Sequence, residues 1–261
     1  MKQIKQSMMR KNSTGRIFFR VFIFSICLSA SIHALGQAQQ HKLEITHLAG
    51  DFYVFTTYNF YKGSSISANG MYLVTNSGVV MFDTPWDTSR FQPLLDSIKV
   101  KHNSKVVICI ATHSHKDKTA GLDFLKERGV KTFTTKRTDE ISKVKGEKRA
   151  AFLMEKDTVF MVGQYKFKVF YPGQGHTADN IVIWFSNERI LYGGCLVKSA
   201  EATDLGNLEE ANVQAWPATI RNIQATCKNP AFIITGHQSW ISKNSLNHTL
   251  KLIEEYKTKN R

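Results

Sequence analysis

Short stretches in which apolar and polar residues alternate predict β-strands along most of the chain after residue 43. Residues 51–57 and 71–75 are rich in aromatic and β-branched residues and predict two strands, and the polar, glycine-bearing stretch 58–70 between them predicts a loop. The apolar runs 79–82 and 105–111 are typical of strands that are buried on both faces. Further strands are predicted at residues 159–171 (two strands around Gly163), at 181–185 with 190–192 (a hairpin), and at 232–234.

Helices are predicted where apolar residues recur at intervals of three and four. Such spacing occurs near residues 91–100 and 122–129, after Pro217, and over residues 246–256. The order of strands followed by a helix occurs in both halves, although the sequence contains no repeat. Strands and helices follow one another without long linkers, so we predict one compact α/β domain over residues 43–258.

The first 36 residues have the features of an export signal. Six basic residues and no acidic residue precede the apolar run 21–30, which is too short to cross a bilayer as a helix. Small residues follow, so cleavage is expected after Gly36 or after Ala38. A lipoprotein signal at Cys27 is disfavoured, because the bulky isoleucine before it does not suit that processing. No later apolar stretch is long enough to cross a membrane, so we expect a soluble protein exported to the periplasm.

The composition fits a globular protein. The chain has 261 residues, 42% hydrophobic and 21% charged, which excludes a disordered or fibrous chain. The net charge of +14 would suggest a nucleic acid or an anionic membrane as partner, but without the six basic residues of the leader it is +8 and spread along the domain. No basic helix and no basic, aromatic platform occurs, so we do not expect nucleic acid as a partner. We expect a monomer that does not associate stably with a membrane.

Three cysteines follow the leader, and an odd number excludes a set of disulfides that uses every thiol. Cys109 lies inside an apolar run and is expected to be a core residue, whereas the surroundings of Cys227 indicate nothing specific. Cys195 directly follows Gly193 and Gly194, and glycines permit close approach of the backbone. Of the three, Cys195 is therefore the candidate for chemistry.

The densest cluster of polar residues, Thr-His-Ser-His-Lys-Asp at 112–117, directly follows a predicted buried strand. In an extended chain, His113, His115 and Asp117 point to the same side. Two imidazoles and a carboxylate at a strand end can hold a divalent metal ion. Taken alone, the cluster has an alternative interpretation as a polar loop whose histidines bond to backbone groups.

Three later fragments also place possible metal ligands at the ends of predicted strands. His176 lies in a turn flanked by glycine, Cys195 follows the hairpin strand, and His237 ends the last strand in Thr-Gly-His. Sites are commonly built from loops at one edge of a sheet. We therefore expect these three residues to join the first cluster.

These motifs, in this order, resemble the metallo-β-lactamases of subclass B1, the group with a cysteine ligand, and in particular the chromosomal enzymes of flavobacteria. The resemblance covers the chain from Phe52 to Trp240. It implies a four-layer αββα sandwich, with two zinc ions per chain. The implied ligands are His113, His115 and His176 for the first zinc, and Asp117, Cys195 and His237 for the second.

The resemblance also implies roles for residues that bind no metal. Lys198 matches the residue that binds the substrate carboxylate, and Asn207 matches a loop residue near the substrate carbonyl, with a part in both binding and catalysis. Asp83 matches a position that supports the metal ligands from behind. The loop 58–70 matches a mobile flap over the site. The remaining substrate contacts that we expect are Phe60, Tyr61 and Trp86.

The implied activity is that of an exported β-lactamase that hydrolyses penicillins, cephalosporins and carbapenems and confers antibiotic resistance. Three imidazoles and a water complete a tetrahedral zinc and lower the pKa of that water to roughly 7. The zinc-bound hydroxide attacks the lactam carbonyl, Asp117 orients it, and the second zinc is placed to accept the charge on the leaving nitrogen. Lys198 then supplies a fixed cation for the carboxylate, its alternative being a solvated surface lysine.

Two other classes of protein are compatible with the same ligands: another hydrolase of this fold (a thioesterase or a phosphodiesterase) and a non-enzymatic exported zinc-binding protein. Such hydrolases usually have a histidine after the motif's aspartate and an aspartate in place of the thiol, where this chain has Lys118 and Cys195. A binding protein would close the ligand shell, whereas three protein ligands per metal leave open positions. Departures from the family pattern at Gln174 and Gln238, and a basic rim formed by Lys116 and Lys118, bear on the substrate profile.

Overall fold

A computed structural model of the chain describes residues 42–260, so the predicted export signal and both cleavage sites lie outside the described residues. The described part holds two β-sheets with helices on their outer faces. Its strands are β1 (Leu43–Ala49), β2 (Phe52–Tyr61), β3 (Ser64–Thr75), β4 (Gly78–Phe82), β5 (Val106–Ile110), β6 (Lys131–Thr135), β7 (Phe152–Met154), β8 (Thr158–Val162), β9 (Tyr165–Phe170), β10 (Val182–Phe185), β11 (Ile190–Gly194) and β12 (Phe232–Thr235). Its helices are α1 (Phe91–His102), α2 (Lys116–Thr119), α3 (Leu122–Lys126), α4 (Lys136–Lys145), α5 (Trp216–Thr226) and α6 (Ser245–Lys259), with a single 3-10 turn at Thr88–Arg90.

The two sheets differ in strand order. The first contains β1 to β7 in chain order; β1 to β4 pair antiparallel, and the pairs from β4 to β7 are parallel. The second has the order β12-β11-β10-β9-β8, in which β11 and β12 run parallel and the other pairs antiparallel. Neighbouring parallel strands end at the same edge of a sheet, so the loops after β4, β5, β11 and β12 can meet there.

Three apolar clusters separate four layers. The central cluster fills the space between the sheets, where the rings of Phe52, Phe82 and Phe185 pack edge to face with centroids 4.9 and 5.6 Å apart. A second cluster lies between the first sheet and helices α1 and α3, and includes Leu94. The third lies between the second sheet and helices α5 and α6, and includes the fully buried Trp216. The predicted α/β class and four-layer αββα arrangement are confirmed.

Alternation along the strands lets one strand contribute to two cores. In β4, Val80 and Phe82 belong to the central cluster, whereas Val79 and Met81 face the helices. A strand that is buried on both faces needs apolar residues at every position. This is why residues 79–82 form the continuous apolar run seen in the sequence.

The predicted loop over residues 58–70 is wrong for most of its length. Strands β2 and β3 pair antiparallel down to Tyr61 and Ser64, so only Lys62 and Gly63 form the turn. Both turn residues have positive φ, 49° and 80°, as tight hairpin turns require. The prediction failed because the residues at the tip of this hairpin are exposed to solvent. Exposed strands do not need alternating apolar and polar residues, so no strand pattern appears in the sequence.

Smaller differences concern the helices and the middle of the chain. Helix α1 extends two residues beyond the prediction to His102, and α3 ends at Lys126 rather than near residue 129. The region 131–154 contains β6, α4 and β7, which the sequence did not reveal, because its high charge hides the apolar spacing. The remaining predicted strands and helices are confirmed. Among residues 42–260, no helix is long and apolar enough to cross a membrane.

Candidate metal centre

The loop after β5 places the first candidate ligands. His113 is buried, and Thr112 before it is held by Asp83, whose carboxylate accepts hydrogen bonds from the Thr112 backbone N–H (2.7 Å) and hydroxyl (3.0 Å). Asp83 directly follows β4 and has a positive φ of 62°. Burial raises the pKa of Asp83 to about 6, although Lys118 and its hydrogen bonds favour the carboxylate. The structure thus places Asp83 behind the loop that carries His113 and His115.

Three imidazoles meet at one point. The ring centroids of His113, His115 and His176 lie 4.8 to 5.1 Å apart and the rings are close to perpendicular. Nδ1 of His115 lies 3.2 Å from Nε2 of His176, and Nε2 of His113 is buried with no hydrogen-bond partner among the described residues. Burial holds the pKa of His113 and of His176 well below the usual range. Both rings are therefore neutral and offer lone pairs, as a metal site requires.

The outer nitrogen of His115 has its own partner. Nε2 lies 3.1 Å from the carboxylate of Glu210, which leaves Nδ1 directed toward the other two rings. A hydrogen bond to the second ring nitrogen fixes both the tautomer and the direction of a ligating imidazole. Glu210 was not predicted from the sequence, since its only signal is its position three residues after Asn207.

A second group of three donor atoms lies beside the first. Sγ of Cys195 is 3.1 Å from Nε2 of His237 and 3.4 Å from Oδ2 of Asp117, and Nε2 of His237 is 3.4 Å from the same oxygen. Although burial works in the opposite direction, Lys118 and His237 hold the pKa of Asp117 well below its usual range. Against the effect of burial, Cys195 and Asp117 raise the pKa of His237 to about 10. The charges that favour a proton at His237 would equally favour a metal cation.

Strand β3 of the hairpin holds the loop that carries His237. The Nδ1–H of His237 donates to the carbonyl of Ser67 (2.6 Å), and the hydroxyl of Ser67 accepts from the Gln238 backbone (2.9 Å). The amide of Asn69 donates to the carbonyls of Thr235 and Gln238, both at 2.9 Å. Nε2 of His237 is thereby left free to bind a metal ion. Neither Ser67 nor Asn69 could be predicted from the sequence, because each is distant from His237 along the chain.

Close backbone packing at Cys195 depends on one glycine. A Cβ at Gly236 would lie 2.5 Å from Sγ and 2.6 Å from the backbone nitrogen of Cys195. Any side chain at this position would therefore displace the thiol. This explains why glycine precedes His237 in the Thr-Gly-His motif.

The donor sets fit the metal that the motifs implied. Three sets of ligand atoms lie within 4.8 Å of one another: those of His113, His115 and Asp117, of His113, His176 and Cys195, and of Asp117, Cys195 and His237, so the two groups adjoin. Imidazole and thiolate are the ligands that zinc prefers. The orphaned Nε2 of His113 has no hydrogen-bonding role among the described residues that would compete with ligation. The structure thus brings together all six residues predicted as ligands, in two adjoining groups.

Lys118 does not lie on the rim of the site as predicted. It is completely buried beneath Asp117, with Nζ 3.2 Å from Oδ2 of Asp117, 3.2 Å from the carbonyl of Asn69 and 3.9 Å from Asp83. Burial opposes its charge, but Cys195 and the two aspartates raise the pKa of Lys118. The prediction failed because helix α2 begins at Lys116, and the helical turn directs residue 118 inward. Lys116 itself is 72% exposed, as expected of a rim residue.

The two groups lie at the bottom of an open cleft of about 1000 Å³. Its walls are the tip of the β2–β3 hairpin and the segment 197–210. Tyr61 lies in the wall, its ring 6.1 Å from that of Trp86, which is in turn 6.4 Å from His237. Phe60 is 54% exposed and does not line the cleft, contrary to its expected role.

Lys198 and Asn207 both line the cleft. Nζ of Lys198 lies 5.3 Å from the ring centroid of Trp216 and has no hydrogen-bond or ion-pair partner within the described residues. Burial lowers the pKa of Lys198, and Cys195 and Asp204 oppose that effect. A half-buried ammonium that has no hydrogen-bond or ion-pair partner among the described residues is available to an anionic group of a ligand.

The remaining cysteines lie apart from the cleft. Cys109 and Cys227 are buried and free, and burial raises the pKa of both thiols, that of Cys227 to about 12. Cys109 belongs to the cluster between the first sheet and its helices, so its predicted role as a core residue is confirmed. Neither thiol takes part in the two donor groups.

Comparisons with known proteins agree with this arrangement. A family model described as the Metallo-beta-lactamase superfamily matches residues 67–237, a range that contains all six residues of the two groups. A metallo-beta-lactamase type 2 of Elizabethkingia meningoseptica is 42% identical over 228 residues, which cover 87% of this chain and 91% of that protein. Metallo-beta-lactamase IND-1 of Chryseobacterium indologenes is 41% identical over 236 residues, covering 90% and 98%. A solved metallo-beta-lactamase from Pontibacter korlensis has a TM-score of 0.79 at 32% identity, covering 82% of this chain and 99% of its own.

Proposed function

The chain belongs to the metallo-beta-lactamase superfamily, and from this premise we propose that it is an exported β-lactamase that hydrolyses the lactam amide of β-lactam antibiotics. The observation that carries the proposal is the pair of adjoining donor groups at the bottom of an open cleft. The cleft has the size of a small-molecule site. The enzyme acts on penicillins, cephalosporins and carbapenems, works as a monomer, and confers resistance on its host.

Two zinc ions per chain fit the two groups. Zinc bound there would supply Lewis-acid chemistry toward the lactam carbonyl and toward water. His113, His115 and His176 would hold one ion and Asp117, Cys195 and His237 the other. Because Asp117 remains ionised, its carboxylate can also accept a hydrogen bond from the attacking water and fix its direction.

Lys198 and Asn207 bind the substrate on either side of the reacting bond. The unpaired ammonium of Lys198 attracts the carboxylate next to the lactam nitrogen. The amide N–H of Asn207 donates to the lactam carbonyl oxygen, on which negative charge develops in the transition state. Tyr61 and Trp86 provide an apolar wall for the substituents of the antibiotic.

The chemistry of the second group disfavours the other hydrolases of this fold. A cysteine at position 195 stands where thioesterases and phosphodiesterases of the fold have a bridging aspartate, and Lys118, rather than a histidine, follows Asp117. Lys118 lies beneath Asp117, where it stabilises the carboxylate and has no direct access to a ligand. A non-enzymatic zinc-binding protein would need no unpaired lysine beside the metal groups.

The decisive experiment is hydrolysis of nitrocefin and imipenem by the purified protein with and without a chelator. We expect hydrolysis that is lost on chelation and restored by zinc, with close to two zinc ions per chain under zinc-replete conditions. Full activity after exhaustive chelation, or no hydrolysis of either compound by the zinc-loaded protein, would contradict the proposal. His113→Ala should lose activity and one equivalent of zinc together.

Export to the periplasm is proposed from the leader sequence. N-terminal sequencing of the protein recovered from the periplasm is expected to begin at Gln37 or Gln39, the residues after the two cleavage sites. Recovery of the full-length chain from the cytoplasm alone would contradict this part of the proposal.

A further inference from the structure

Asp179 is a buried carboxylate with no cationic partner. The residue is 1% exposed, and one oxygen, Oδ1, has no hydrogen-bond partner among residues 42–260. No lysine, arginine or histidine nitrogen of the described chain lies within ion-pair distance of it, and Arg137 instead contacts the hydroxyl of Tyr171 (3.3 Å). A buried charge is costly unless it is paired, so the arrangement requires an explanation.

The bonded oxygen of Asp179 joins the two loops that carry the three-histidine group. Oδ2 accepts the backbone N–H of Ser114 at 2.9 Å, and Ser114 is the residue between His113 and His115. Asp179 itself follows His176 by three residues and lies in the same turn. The carboxylate therefore touches the backbone between two of the histidines and is part of the turn that positions the third.

The neighbour of Asp179 shapes that turn. The side chain of Asn180 accepts the backbone N–H of Thr177 (3.0 Å) and donates to the carbonyl of Gly173 (2.8 Å). A backbone bond from Ile181 to the carbonyl of Thr112 (3.0 Å) then joins this segment to the strand end. The hydrogen bonds of Asn180 hold the turn that contains His176 together, and the hydrogen bond of Asp179 joins this turn to the loop that contains Ser114.

The two metal groups differ in the charge that their ligands supply. The group of Asp117, Cys195 and His237 contains a carboxylate and a thiol, whereas the three-histidine group contributes neutral imidazoles only. A divalent ion held by three neutral rings keeps its full positive charge, so a buried negative charge beside the loops that carry these rings favours its binding.

We propose that Asp179 is a positioning residue of the three-histidine group: it ties the two histidine loops together and supplies the buried negative charge that compensates the metal ion bound there. The inference rests on the proposed function, since it assumes a metal ion at this group. It accounts for both features of Asp179, the single bond to Ser114 and the absence of a cationic partner in the described chain.

Two substitutions distinguish the effect of the negative charge of Asp179 from the effect of its hydrogen bond with Ser114. Asp179→Asn removes the charge but keeps an oxygen that can accept the Ser114 N–H, whereas Asp179→Ala removes both. Asp139→Asn is the matched control, because Asp139 is also a buried carboxylate but is paired with Arg149 at 2.6 Å. Circular dichroism and thermal unfolding establish that each variant is folded.

Zinc is titrated into each metal-free protein against a chromophoric chelator, and cobalt(II) is used to resolve the groups. Only the group with Cys195 gives a sulfur-to-cobalt charge-transfer band, so the two affinities can be followed separately. Removal of a group that supports a metal ligand typically weakens affinity or activity about 10- to 100-fold. For Asp179→Asn we expect a loss of at least about ten-fold at the three-histidine group, an unchanged charge-transfer titration, and parent-like binding by Asp139→Asn.

Three results would overturn the inference. Binding of metal at the histidines by Asp179→Asn as tight as that of the parent would exclude the compensating charge, even where Asp179→Ala binds more weakly. Equal weakening of both groups would indicate a general disturbance of the fold instead. A parent protein that binds no metal at the histidines rejects the proposed function together with this inference, whereas hydrolysis and binding by the parent with an unaffected Asn variant reject this inference alone.

Discussion

The carboxylate of Glu210 lies 3.1 Å from Nε2 of His115, so the loop that carries Asn207 is joined directly to the three-histidine group. Glu210 also accepts a hydrogen bond from the ammonium of Lys145 at the end of α4. Partial burial works against ionisation, but the hydrogen bonds from Lys145 and His115 lower the pKa of Glu210. An ionised carboxylate thus connects the loop of Asn207, helix α4 and an imidazole of the three-histidine group.

Glu210→Ala is expected to lower kcat/KM and zinc affinity at the histidines about 10- to 100-fold, because His115 loses the partner that fixes its ring. Glu209→Ala is the matched control: its side chain is 71% exposed, and its ion pair with Lys62 spans 3.7 Å. Exposed pairs of this kind contribute roughly 0–1 kcal/mol. Kinetics and zinc titration on the same samples test this, and equal behaviour of the two variants would contradict it.

Cys195→Ser should weaken the second zinc far more than the first, since the thiolate is the softest ligand of the set. Titration is expected to show one tight and one much looser zinc ion, with reduced turnover. Cys227→Ala, at a buried thiol outside both groups, should retain both zinc affinities. If Cys195→Ser binds two zinc ions as tightly as the parent, the assignment of Cys195 as a ligand is wrong.

Lys198→Ala should mainly raise KM, because the proposed contact with the substrate carboxylate would be made in both the ground state and the transition state. A charge-assisted hydrogen bond contributes roughly 1.5–3 kcal/mol, which is about a 10- to 100-fold loss in kcat/KM. Lys198→Arg should recover part of the loss, and zinc content should not change.

The control for Lys198 is Lys116→Ala, whose side chain is 72% exposed at the rim and should have little effect. Normal kcat/KM in Lys198→Ala would make Lys198 a solvated lysine without a binding role. Lys116 would then be the remaining candidate for the carboxylate contact, because Lys118 is buried beneath Asp117.

Asp139 provides a prediction on the pH dependence of stability. Its carboxylate accepts two hydrogen bonds from Arg149, at 2.7 and 2.6 Å, and these lower the pKa of Asp139 in the folded protein. A group whose pKa is depressed by folding stabilises the protein above its unfolded pKa of about 3.9, and that contribution is lost as the pH falls through the folded value.

We therefore expect Asp139→Asn to unfold with about 1 kcal/mol less free energy than the parent near pH 7, a modest value because Arg149 is half exposed. The difference between the two proteins should shrink as the pH falls below about 4. Denaturant unfolding at a series of pH values measures it. A difference that stays constant down to pH 3 would show that the ion pair is not its cause.

The sequence predicted those parts of the fold in which burial leaves a periodic pattern. Residues 79–82 are apolar throughout because both faces of β4 are covered, and α6 shows apolar residues at intervals of three and four because one face packs on the second sheet. The β2–β3 hairpin beyond Tyr58 escaped prediction, because backbone pairing maintains its strands while their side chains reach solvent. The charged region of α4 escaped for a similar reason, since few of its residues are buried.

The six candidate ligands could be proposed from the sequence alone, because it shows histidine, cysteine and aspartate residues at the ends of successive predicted strands. Which residues support them could not. Glu210, Asn69 and Asp179 are polar residues of ordinary type, and they meet the ligand loops only after two sheets, remote in sequence, have packed face to face. The position of Lys118 could not be predicted either. Its place beside Asp117 in the sequence suggests the rim of the site, but one turn of helix directs its side chain into the protein, where its ammonium pairs with Asp83 and Asp117. The residue types in the sequence show which side chains can bind a metal ion or carry a charge. Packing of the folded chain sets how deeply each side chain is buried, which partner it contacts and where it points, and therefore what each charged group does.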